Sequence, residues 1–225
     1  MNALDKVGHG QIHRELVDRL AADLKPVRPL WPVRRRLTLW LAIEIAILTQ
    51  TLIETSNQWR LKLEHPIYAL DIAFFAVAAV IIAAMALRAA VPGRESSRWQ
   101  IGLAMALAVI GTAMLFATPM RTNLSLGDFA SIGSHCAWAT CVKALLPWIA
   151  LWWAVRRGAP GNGAGAGAMV GAAAMLFSFA IMRLDCPLDE PLHLVTWHLG
   201  PVLIVTILSM VAGAAWLRLP ARRRI

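Results

Sequence analysis

Apolar residues fall into six long runs: Leu37–Ile53, Ile67–Val91, Ile101–Met120, Cys136–Val155, Ala164–Leu184 and Leu194–Leu217. Each is long enough to cross a hydrocarbon core of ~30 Å at a helical rise of ~1.5 Å per residue. The connections are short, so the runs predict one all-α bundle with no second globular domain. The expected organisation is a cytoplasmic segment over residues 1–36, a six-transmembrane-helix domain over 37–217 and a basic cytoplasmic tail over 218–225.

A different pattern occupies the N-terminal segment. In residues 10–25, GQIHRELVDRLAADLK, the apolar residues Ile12, Leu16, Leu20 and Leu24 recur every four positions, with Val17 adjacent. This spacing predicts a short amphipathic helix with one apolar stripe. His13, Glu15, Asp18, Arg19 and Asp23 fall on its other faces, and Pro26 and Pro29 end it. Such a stripe can lie on the membrane surface beneath the bundle, or dock in a groove of a soluble partner.

Composition agrees with a membrane protein. Of 225 residues, 58% are hydrophobic and 16% charged, against about 25% charged in ordinary soluble domains. The mean hydropathy is +0.59. Trp31, Trp59, Trp99 and Trp216 stand at run ends, at the headgroup level that indole prefers. A net charge of +9 could suit nucleic acid, but the distribution of Lys and Arg explains it as topology and implies no direct nucleic-acid contact. With the N-terminus inside, 17 of the 22 Lys and Arg lie on the cytoplasmic side and 4 outside, which places both termini in the cytoplasm. The first run begins too late for a cleavable signal, so the first helix is expected to remain as an anchor.

Three charged residues lie more than three positions in from the ends of their runs: Glu44, Asp71 and Lys143. A lone charge at mid-membrane costs at least ~2.5–3.5 kcal/mol. An interior ion pair between Asp71 and Lys143 is the expected solution, and a proton or ion path is the alternative. Gly163, Gly167 and Gly171 line one helix face at four-residue spacing, for close packing within the bundle or for a homodimer contact.

Cys136 and Cys186 fall toward the outer water boundary, with Cys141 about one and a half turns deeper. An oxidising outer compartment makes the first two a candidate redox pair. The same face gathers His65, His135, His193 and His198, with Asp185, Asp189 and Glu190. Thiolate and imidazole together suit zinc, copper or cadmium, and His135, His193 and His198 are the candidate imidazole ligands. CxxC, HExxH, phosphate-loop and GxSxG patterns are absent. The expectation is a protein that is not an enzyme and carries no cofactor.

Three stretches stand out: LVDRLAADLKPVRPLWPVRRRLTLWL at 16–41, CAWATCVKALLPWIALWWAVRRGAP at 136–160 and DCPLDEPLHLVTWHLG at 185–200. Together they resemble the NrsF-type membrane anti-sigma proteins, negative regulators of extracytoplasmic-function sigma factors. The chain has Trp197 and His198 where the family pattern is Trp-Tyr, and Cys141 is additional. The resemblance implies sensing thiols at Cys136 and Cys186, and a sigma factor bound by residues 1–36 through Ile12, Leu16, Leu20 and Leu24. The implied protein is a multi-pass bacterial inner-membrane regulator that releases its sigma factor on a periplasmic redox or metal stimulus. The rival is a small six-helix transporter or channel for metal ions.

Overall fold

A computed structural model describes residues 14–22, 29–55, 58–91, 98–116 and 125–217. All regular structure among these residues is helical. The chain divides into two units, Met1–Leu30 and Trp31–Ile225. In the first unit, residues 14–22 form helix α1, with Leu16, Val17 and Leu20 each more than half exposed. Of the predicted stripe, Ile12 and Leu24 lie outside the described residues.

The second unit is a helical bundle. Its elements are α2 (Val33–Glu54), the short α3 (Gln58–Leu63), α4 (Pro66–Ala89), α5 (Arg98–Leu115), α6 (Leu126–Arg156), α7 (Gly163–Asp185) and α8 (Pro191–Trp216). Five helices (α2, α4, α6, α7 and α8) are long and apolar enough to cross a membrane. The third run forms α5, whose apolar portion, Gly102–Leu115, is shorter than those five.

The centre of the bundle is α7, most of whose length is buried. It packs on α4 through Ala79, Ala83 and Ala86 against Ala166, Val170 and Ala173, small residues that let helices approach closely. Its glycine stripe faces α8. A Cβ on Gly167 would sit 2.1 Å from the Ser209 carbonyl oxygen, and one on Gly213 would sit 2.3 Å from the Gly163 oxygen. A homodimer contact through Gly163, Gly167 and Gly171 is therefore corrected: α8 of the same chain already covers that face.

At one end of the bundle, Arg36 joins α2 to two neighbours. Its guanidinium donates to the carbonyls of Leu87 and Ala154, each at 3.2 Å, in the last turns of α4 and α6. A cation suits the unpaired carbonyls and negative dipole of helix C-termini. Arg88 and Arg156 close α4 and α6 at this end.

The ion pair expected between Asp71 and Lys143 is not formed. Asp71 accepts from Arg183 Nε at 2.8 Å, with both side chains essentially buried. Lys143 pairs instead with Asp185 at 3.1 Å. The reason is where α7 ends: Arg183 lies in its last turn, inside the bundle, and not in a water-facing loop. Glu44 is fully buried on the inward face of α2.

Candidate functional site

At the opposite end from Arg36, α6, α7 and α8 converge on a buried cluster of sulfur and imidazole. The sequence of α6 sets its first member. Ser125 caps the helix by accepting from the Asp128 N–H at 3.1 Å, so α6 starts ten residues before the predicted run. Cys136 therefore lies well inside a helix, only 3% exposed. Cys186 follows the end of α7 directly and is 1% exposed. The expectation of thiols at the water boundary is corrected: both are buried.

Their sulfurs are 3.7 Å apart, and both cysteines are free. His193 Nε2 lies 3.4 Å from the Cys186 sulfur. His198 completes the group, and one ligand atom from each of the four residues lies within 4.8 Å of all the others. Both histidines are fully buried. His135 is exposed on α6 and takes no part, which corrects its place among the ligands. His65 precedes α4 and packs edge-on against Tyr68.

A break in helical register unites the two histidines. On an α-helix, residues five apart point about 140° away from each other. Leu194–Leu199 instead form a π-turn, in which the Gly200 N–H donates to the Val195 carbonyl. That i→i+5 bonding turns residues five apart back toward one face of the helix. The His193 and His198 rings accordingly stand 5.3 Å apart, centroid to centroid. Pro201 supplies the cause: it has no N–H for the Trp197 carbonyl, and its ring crowds the preceding turn. The Gly-Pro at 200–201 was the signal in the sequence from which this register change could have been suspected.

Aromatic rings wall the cluster. Phe129 packs edge-on to His193 and lies against Trp197, and Phe179 packs edge-on to His198. Gly133 makes room for the Trp197 indole: a Cβ there would fall 2.2 Å from its nitrogen. The walls limit hydrogen bonding. Nδ1 of His193 and both ring nitrogens of His198 are buried without a hydrogen-bond partner among the described residues.

Charged residues fix the loop that carries Cys186. Lys62, on α3, donates to the carbonyls of Cys186 and Arg183 and pairs with Asp189 at 3.1 Å. Arg183 also pairs with Asp189, at 2.6 Å. The Cys136 and Cys186 sulfurs are within hydrogen-bonding distance, and this contact, with that of His193, holds the Cys186 thiol below the ordinary range despite burial. Arg183 and Lys62 were missed as site residues in the sequence, because only the fold shows that they grip this loop.

The donor set fits a soft or borderline cation. A tetrahedral ion with bonds of about 2.3 Å to sulfur and about 2.0–2.1 Å to nitrogen separates two sulfurs by about 3.8 Å, and sulfur from nitrogen by about 3.6 Å. The observed 3.7 and 3.4 Å lie close to both. A disulfide needs about 2.05 Å and so requires the two sulfurs to close further.

Comparison with known proteins bears on what such a cluster is for. No curated protein matches the chain, and no solved structure does. Among protein families, residues 20–219 match NrsF, described as a negative regulator of sigma F. That match covers nearly the whole chain, including the bundle and all four residues of the cluster. The chain belongs to the NrsF family of negative regulators of sigma F.

Proposed function

We propose that the chain is a membrane-bound anti-sigma factor whose cysteine–histidine cluster senses a thiophilic cation. In this reading it spans the bacterial inner membrane six times, α5 included, with both termini in the cytoplasm. Residues 1–36 hold an extracytoplasmic-function sigma factor inactive, and the cluster faces the periplasm. A cation bound by Cys136, Cys186, His193 and His198 favours the state that lets the sigma factor go. The observation that carries the reading is the set of four ligand atoms within 4.8 Å of one another, buried at the bundle end away from Arg36.

The physics supports this order of events. The arginine-rich end supports the sidedness by the positive-inside rule. In α1, Leu16 and Leu20 present an exposed apolar stripe of the kind that fills a groove on a partner. Moving a two-state equilibrium from 1:99 to 99:1 needs about 5.5 kcal/mol of preference for one state. Sites of mixed thiolate and imidazole ligands bind zinc with about 10–16 kcal/mol, so differential binding can supply that shift. Oxidation of Cys136 and Cys186 to a disulfide is the second reading, favoured by their 3.7 Å separation. The transporter reading has less support, because Asp71 and Lys143 are each tied into ion pairs.

The test is transcription from a sigma-dependent promoter, with cadmium or with a thiol oxidant. Cys136→Ser and Cys186→Ser should abolish the response while the protein still inserts. His193→Ala and His198→Ala should weaken the cadmium response and spare the oxidant response. A full cadmium response in both cysteine variants would eliminate the thiol site as the sensor.

A further inference from the structure

The cluster lies at one end of the bundle, and the segment proposed to hold the sigma factor joins the bundle at the other end of α2. A sensor of this kind needs a contact between its loop and α2. The structure provides one next to Cys186. Asp185 places one carboxylate oxygen 3.0 Å from the Thr55 hydroxyl, at the C-terminal end of α2, and the other 3.1 Å from Lys143 on α6. Thr55 is 8% exposed.

The Thr55 hydroxyl has a single proton and two acceptors in reach. One is Asp185. The other is the Thr51 carbonyl at 2.7 Å, one turn back in α2. When Asp185 withdraws, the hydroxyl keeps the carbonyl bond, a common arrangement for Thr in helices. Breaking the contact therefore strands no buried donor, and Asp185 retains Lys143. The bond can be made or lost without unfolding anything around it.

The other hydrogen bonds described between α2 and its neighbours lie at its far end. At the far end Arg36 hooks onto Leu87 and Ala154, and Trp40 packs edge-on against Phe177. Between α2 and α6 runs an apolar groove of about 970 Å³, lined by Ile43, Ile47, Val142 and Leu146. The Glu44 carboxyl is buried in the middle of α2 without a hydrogen-bond partner among the described residues. The hydrogen bonds described between α2 and its neighbours lie near its two ends, while Leu41, Ile47 and Leu48 pack against the core between them.

The geometry points to Thr55 as the positioning residue that passes the state of the Cys186 loop to α2, its hydrogen bond to Asp185 holding α2 in the sigma-retaining position. This inference rests on the reading of the cluster as a sensor. Gathering the four ligand atoms, which lie within 4.8 Å of one another, onto a single ion closes the wider of their separations, and that shifts the Cys186 loop and the adjoining residue 185. Its carboxylate then leaves Thr55, and the outer end of α2 is free to shift.

The experiment uses full-length Thr55→Val and Thr55→Ser in membranes of cells carrying the sigma factor. Two readouts are needed: sigma-dependent transcription with and without cadmium, and protection of Cys136 and Cys186 from maleimide by cadmium. Thr55→Val keeps the shape and loses the hydroxyl, and should raise uninduced transcription several-fold while cadmium still protects the thiols. Thr55→Ser should restore repression. Asp185→Asn, which removes the charged acceptor at constant volume, should move transcription the same way, and decides the matter if Thr55→Val fails to accumulate. Parental uninduced and induced levels in Thr55→Val overturn the inference, and so does permanent repression. The uninduced level tests the joint whether or not cadmium is the inducer. Loss of cadmium protection in the parent protein would overturn the sensor reading instead.

Discussion

Cys186 is where the chemistry concentrates. Its sulfur meets Cys136 and His193, its carbonyl accepts from Lys62, and the next residue back is Asp185. Removing a single imidazole should leave three donors. We therefore expect His193→Ala or His198→Ala to lower cadmium affinity by at least about 10–100-fold, the range lost with outer-shell partners alone, and His135→Ala to change nothing. Titration of the purified protein with cadmium, read by thiolate-to-metal absorption, measures this; equal affinity in all three variants would remove histidine from the site. Arg183 makes a different prediction. It is the buried partner of both Asp71 and Asp189, and removing one member of a buried pair costs about 3–5 kcal/mol. Arg183→Met should lose membrane abundance, and adding Asp71→Leu should recover much of it. Thiols and imidazoles were legible in the sequence as residue types on one face. Their partnership was not: the choice of His193 and His198 over His135 depends on a π-turn, and the partner of Asp71 depends on where α7 ends.

Among the helices, hydrophobic length located α2, α4, α7 and α8 closely, because a bilayer-spanning stretch has few other solutions. It located α6 less well. Residues 126–135 include Gly127, Asp128, Ser131, Ser134 and His135, which interrupt the apolar run without breaking the helix. The π-turn of α8 can be tested directly. Pro201→Ala supplies the missing N–H and favours ordinary i→i+4 bonding with all five residues retained. We expect the protein to insert normally but to lose cadmium binding, as His198 rotates away from His193; retained binding would mean the π-turn is dispensable. The α7–α8 contact predicts overpacking. Gly167→Leu drives a side chain into the Ser209 backbone, at a cost of at least about 1–3 kcal/mol. The expected result is reduced accumulation or thermal stability of the protein; unchanged stability with altered self-association would instead show that the stripe faces a second copy. In α1, Leu16→Asp or Leu20→Asp should abolish sigma binding with insertion intact, since an unpaired charge in an apolar groove costs several kcal/mol. Binding retained in both would move the docking surface elsewhere.

Over the whole molecule, the structure separates two kinds of end. Arginines gather where α2 begins and α4 and α6 finish, and the cysteine–histidine cluster with its ion-paired loop gathers at the other. Between them α2 is the continuous element that leads, through the chain, from Asp185 to the N-terminal segment. The family is one of negative regulators of sigma F, and in the proposed reading this polarity has a use, with the cluster as the sensor. A reporter active only in the periplasm, fused after Ile225, should be silent, and one inserted near Asp128 should be active; the reverse would put the cluster in the cytoplasm. The most direct test joins both ends in one experiment. Full-length protein is purified from membranes with its bound partners, and the retained sigma factor is measured before and after adding cadmium. The account predicts a sigma factor bound without cadmium, released by it, and retained despite it in Cys136→Ser and Cys186→Ser; absence of any bound sigma factor, or release that ignores both cysteines, would contradict it.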